Sequence, residues 1–115
     1  MEQINRIELL GTVGSVRTQK VGDRLMAKFS VATNRAYKNR DGEPVIDTQW
    51  HNITAFEGRG VKDIGQIEKG TTVHLFGRLQ TQRFTGSDGA ERSITEVICN
   101  SLELIPDGEN IQYEM

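Results

Sequence analysis

The strongest constraint on the fold is an alternation of period two that recurs in five stretches, each bounded by glycine-rich or polar turn residues. Strict alternation puts successive side chains on opposite faces of an extended chain, so it predicts half-buried strands rather than helices. Residues 4–16 alternate loosely, with Ile7 and Leu9 opposite Arg6, Glu8 and Leu10. Gly11 and Gly14 interrupt them, and a glycine inside a strand predicts a bulge or a tight bend. Residues 24–37 place Leu25, Ala27, Phe29, Val31 and Thr33 on one side. The cluster from Lys38 to Pro44, with its Asp41-Gly42 step, predicts a reversal. A third strand covers 47–56, a fourth 71–84 and a fifth 92–105, the last two separated by the turn Thr85–Gly89. Between the third and fourth the alternation stops. Val61, Ile64 and Ile67 recur there at a spacing of three, which predicts one short helical turn.

Five strands with a short helix between the third and fourth is the element order of an all-β OB-fold barrel. With 115 residues, 36% of them hydrophobic, the chain has enough apolar surface for one such core and little room for a second. A single cysteine, Cys99, excludes a disulfide framework and a cysteine-cluster zinc site, and it reads as a small buried hydrophobe. No run nears the roughly 18 apolar residues of a membrane span, and the first residues do not resemble a signal peptide, so the expected location is the cytoplasm. The formal net charge is −2. That sum hides an asymmetry: four of the sixteen acidic side chains and none of the fourteen basic ones fall in residues 101–115, so residues 1–100 carry +2. The expected organisation is a barrel domain over 1–105 followed by a short, acidic, mobile tail over 106–115.

The third strand puts Trp50, Asn52, Thr54 and Phe56 on one face and His51, Ile53 and Ala55 on the other. The second set suits the inside of a barrel; the first offers two aromatic rings among small polar groups. In the fourth strand His74, Phe76, Arg78, Gln80, Gln82 and Phe84 lie opposite Val73, Leu75 and Leu79. Tyr37 ends the second strand beside Arg35, Lys38 and Arg40, and Arg83 flanks Phe84. Aromatic rings interleaved with arginine and lysine suit a single-stranded nucleic acid. Each base stacks on a ring for ~1–3 kcal/mol, and the cations meet the phosphates. Enzymatic chemistry finds no comparable pattern. His51 and His74 stand on opposite faces by strand parity, no acidic spacing marks a metal site, and Gly58-Arg59-Gly60 lacks the spacing of a phosphate-binding loop. No cofactor is expected.

Taken together, several segments resemble one family. Asn5–Gly11 resembles the opening strand of bacterial single-stranded-DNA-binding proteins, and Phe29–Asn34 their second strand. Trp50-His51 with Ile53 and Phe56 resembles their third. Lys69-Gly70, Gly77-Arg78-Leu79, Thr81 and Thr95-Glu96-Val97 resemble the remainder, so that the likeness runs in order over residues 4–105. It implies sequence-independent binding and protection of single-stranded DNA in replication, recombination and repair, by a homo-oligomer that is usually a tetramer, though a dimer is an alternative. Carried over by position, Trp50, Phe56, Tyr37 and Phe84 would stack on bases, and His51 would support a subunit interface. Arg6, Arg35, Lys38, Arg78 and Arg83 are the expected phosphate contacts. Two departures stand out. The segment Arg17–Asp23 is shorter than the family's usual first hairpin, which leaves its path open. The long linker and acidic Pro-Phe tip by which the family recruits other replication and repair proteins have no counterpart in residues 106–115. That second departure raises an alternative, a primosome-type OB-fold adaptor for replication restart that binds single-stranded DNA only weakly.

Overall fold

In the computed structural model, which describes residues 2–105, each alternating stretch is a strand. In chain order they are β1 (Ile7–Val21), β2 (Arg24–Lys38), β3 (Pro44–Phe56), β4 (Thr72–Thr85) and β5 (Glu91–Ile105). They close into a barrel in the order β1-β2-β3-β5-β4, with β4 returning to β1. All neighbours run antiparallel except β3 and β5, which meet in parallel over three residue pairs, Ile53–Ala55 against Val97–Cys99. Closure removes free sheet edges from the barrel wall. The expected acidic tail lies outside the described residues.

The core consists of the inward members of the alternation. Phe29, Val31, Ile53, Val73, Leu75 and Val97 are all buried to within a few per cent, and Leu9 and Val13 join them from β1. Each such side chain contributes roughly 1.5–3 kcal/mol of transfer free energy. Val61, Ile64 and Ile67, from the segment between β3 and β4, join the same buried cluster. Only Ile64 lies in a helical turn, since Val61 sits in a β-bridge and Ile67 is extended. The expected helix is accordingly a single 3₁₀ turn, Ile64–Gln66.

Two irregularities decide which residues face outward. Across the β1–β2 pair the register moves three residues on β1, from Val13 to Val16, for two on β2, from Val31 to Phe29. The extra residue is a bulge at Gly14-Ser15, where a glycine interrupts the pattern. It resets the parity of everything after it, so that Val16 packs on the core while Arg17 turns outward opposite Lys28. A second shift falls in β5, where Gly77 pairs with Cys99 but Phe76 with Ser101. Skipping Asn100 lets Val97 and Cys99 face inward on one side of the bulge and Leu102 and Leu104 on the other.

The path that the sequence leaves open over Arg17–Asp23 is a continuation of β1, because Arg17 to Val21 pair residue by residue with Lys28 to Arg24. The reversal takes only Gly22-Asp23, with Gly22 in the left-handed region at φ 63° that glycine adopts without a Cβ clash. Leu79, expected inside with Val73 and Leu75, is 47% exposed. At Gly77 the pairing of β4 with β1 ends, so Leu79 has no strand beside it on that side, while its partner Val97 stays buried against β3.

Cys99 is buried as expected, and desolvation pushes its thiol up to about 11. At neutral pH it therefore stays protonated and unreactive.

Candidate nucleic-acid interface

The outward face of β1, β2 and β3 carries the most exposed aromatic ring among the described residues, Trp50, at 60% accessibility. Trp50 pairs with Ala32 on β2, and its indole reaches across that strand to Gly14 on β1. A Cβ at Gly14 would collide with the six-membered ring of the indole. The glycine of the bulge is thus a seat for the ring, which leans against the sheet while most of its surface stays open. Ser30 stands beside the same spot and ties the bulge down: Ser30 Oγ accepts the Ser15 N–H at 3.1 Å and lies 3.0 Å from Ser15 Oγ.

Next to this seat lies a cleft of about 470 Å³ across the outer face. Its lining combines Arg17 and Lys28 with Ser15, Ser30, Asn52 and Thr54, and with Ile94 and Glu96 from β5. The rows follow from register. Arg17, Lys28 and Thr54 lie side by side on β1, β2 and β3, and Ser30 pairs with Asn52 one step along. Thr54 was expected on the open face with Trp50 and Phe56. It is on that face but buried, because its hydroxyl donates to Glu96 Oε2 at 2.8 Å across the β3–β5 seam.

Phe56 shares the outward parity of Trp50 at the end of β3 and is 38% exposed, with the Arg24 guanidinium 6.0 Å from its ring centre. Phe84, 43% exposed, is near the tip of the β4–β5 ribbon, diagonal to Ile94 on the same face. Tyr37 is different. It pairs with Val45 at the far end of the β2–β3 ribbon, and strand parity puts it on the face opposite Trp50. It is exposed there with Arg35 stacked at 5.3 Å from its ring centre. The four rings therefore do not form one platform: Trp50 and Phe56 share a strand face, Phe84 stands on a neighbouring ribbon, and Tyr37 is on the back of another.

All five expected phosphate contacts are exposed. Lys38 has the outward parity of Trp50, and Arg78, held by Gln80 Oε1 at 3.0 Å, shares the face of Phe84. Arg83 pairs with Ser93 on the opposite side of that ribbon. Arg6 follows Asn5, whose side-chain amide pairs with both backbone groups of Leu79. His51 is half-buried on the inward side of β3 with Nε2 2.9 Å from Thr33 Oγ1. Sequence reasoning missed Lys28, Arg17, Arg24 and the 72%-exposed Ile46, two residues along the outer face beyond Thr48. Lys28 was legible from its place between inward Ala27 and Phe29; Arg17 was not, because only the bulge turns it outward.

Matched against known families, residues 4–105 fit the model of the single-strand binding protein family. The chain belongs to that family. A relative from Neisseria meningitidis serogroup A, named single-stranded DNA-binding protein, is 36% identical over 107 residues, covering 89% of this chain and 60% of its own length. A mitochondrial single-stranded DNA-binding protein from Danio rerio is 28% identical, covering 92% of this chain and 79% of its own length. Among solved structures, the Plasmodium falciparum SSB in complex with ssDNA superposes with a TM-score of 0.79 at 29% identity, covering 92% of this chain and 98% of the other. The chain spans about 60% of the length of the first bacterial relatives. These members of the single-strand binding protein family are binding proteins by name. Among the described residues no group of three or more His, Cys, Asp or Glu is placed to hold a metal ion, and no helix is long and apolar enough to cross a membrane.

Proposed function

We propose that this protein binds and protects single-stranded DNA with little dependence on sequence, in replication, recombination and repair. The observation that carries the reading is the Trp50 indole, braced on Gly14 yet 60% open, at the edge of a cleft that holds Arg17 and Lys28. A braced ring loses little freedom when a base stacks on it, and any base offers the required π-face. Phe56 and Phe84 extend the stacking surface along β3 and onto the β4–β5 ribbon. Arg6, Arg35, Lys38, Arg78 and Arg83, with Arg17 and Lys28, supply phosphate contacts. Tyr37 serves a strand that passes around the tip of the β2–β3 ribbon. The ssDNA complex of the Plasmodium falciparum relative supports the same ligand here.

The working unit we infer is a homo-oligomer, a tetramer in preference to a dimer, in the bacterial cytoplasm. Leu10 and Phe76 are 52% and 36% exposed on the adjoining outer face of β1 and β4, and covering them favours assembly. His51 supports a subunit contact from the inward side of β3. Light scattering with and without oligo-dT tests ligand and assembly together. The expected result is a mass of four chains that rises by one or two oligonucleotides. A monomer that does not gain mass would contradict both parts.

A further inference from the structure

The cleft beside Trp50 contains a carboxylate that phosphate binding does not explain. Glu96 is half-buried on β5, where the parallel seam sets it beside Asn52 and Thr54. A negative group there repels a polyanion, yet it is held firmly: Thr54 Oγ1 donates to Glu96 Oε2 at 2.8 Å. Its other oxygen, Oε1, has no hydrogen bond among the described residues, and neither Arg17 nor Lys28 pairs with it, the ion pairs among the described residues being His74–Glu8 and Arg92–Asp88, both outside the cleft. The cleft floor thus presents one fixed acceptor, flanked by Ser15, Ser30 and Asn52, whose hydroxyls and amide can donate.

That arrangement matches the edge of a base, not a phosphate. An ionised carboxylate only accepts hydrogen bonds. Cytosine turns an amino group outward at C4, next to a ring nitrogen that accepts; thymine turns a carbonyl oxygen outward at the same position. The rings also differ at N3, which accepts in cytosine and donates in thymine, and in the C5 methyl of thymine, so the group at C4 is the one that a carboxylate aimed there tells apart. Single-stranded bases are free to offer these edges because no complementary strand occupies them.

We propose that Glu96 is a base-reading residue: its Oε1 accepts the exocyclic amino group of a base seated in the cleft, which favours cytosine over thymine. This rests on the single-stranded DNA reading above and adds a bias to it, since stacking still admits every base. The test compares affinities for oligo-dC and oligo-dT at pH 8 in the wild type and in Glu96→Gln. Glutamine keeps an oxygen for Thr54 but offers an amide donor to the thymine oxygen. The dC-to-dT affinity ratio is expected to fall about five- to tenfold in the variant. A second arm leaves the protein unchanged and replaces each cytosine by 2-pyrimidinone, which lacks the amino group; a similar loss is expected, and this arm decides if the variant does not fold. An equal ratio in both proteins, or pyrimidinone binding as tightly as cytosine, would overturn the proposal while leaving the wider reading intact. No binding to either oligonucleotide would overturn the wider reading itself.

Discussion

The double variant Trp50→Ala/Phe56→Ala is expected to lose about 2–6 kcal/mol of oligo-dT affinity, about 1–3 for each stacking ring. Both rings leave the outward face of β3, and both are more than a third exposed, so their removal takes little from the core. The fold should survive, with an unchanged far-ultraviolet spectrum and at most a small shift in the unfolding midpoint. The modest charge sharpens this expectation. Residues 1–100 carry a formal +2. Without stacking, that excess leaves only weak electrostatic attachment, which salt readily screens. Anisotropy titration with labelled oligo-dT gives the comparison. A double variant that binds within twofold of the wild type would place the contact surface elsewhere on the barrel.

The largest effect on stability is expected from Phe29→Ala, at about 3–5 kcal/mol. Phe29 is 4% exposed and lies in the middle of β2, paired with Val16 on one side and Ile53 on the other. Its ring fills the barrel behind the cleft, beneath the bulge that turns Arg17 outward. Truncation removes the ring's transfer free energy and leaves a cavity that is slow to collapse, because β2 is hydrogen-bonded there to β1 on one side and to β3 on the other. The cost is a large part of the total stability of a domain this size, about 5–15 kcal/mol. Urea titration followed by Trp50 emission measures it directly. A loss under about 1 kcal/mol would show that the barrel repacks around the site, contrary to close packing.

The alternation carried most of the barrel. Leu25 to Thr33 and Ile53 to Ala55 read inward from the sequence because an unbroken strand keeps its parity, and the structure buries Ala27, Phe29, Val31, Ile53 and Ala55. The expected interruption at Gly14 is a bulge, though its consequence for Arg17 was invisible: a bulge exchanges the faces of every later residue, and the sequence does not say which residue is left unpaired. Leu79 failed for another reason. Parity assigns a face but does not say where a strand loses its neighbour, and past Gly77 β4 no longer has β1 beside it. Tyr37 and Trp50 look equivalent as rings near basic residues, yet the β2–β3 register separates them, since pairing Trp50 with Ala32 leaves Tyr37 on the opposite face. Glu96 gave no signal as a lone acid in a strand. Only the seam between β3 and β5, a contact between residues 42 apart in the chain, sets it against Thr54.

The central claim, that single-stranded DNA stacks on Trp50, has a direct optical test, because Trp50 is the only tryptophan in the chain. Titration of the protein with oligo-dT at low salt should quench its emission to saturation at a fixed stoichiometry. Repeated at rising salt, the logarithm of the affinity should fall linearly with a slope of about −0.7 per phosphate neutralised. Emission that stays constant while binding is seen by another probe would contradict stacking on this ring.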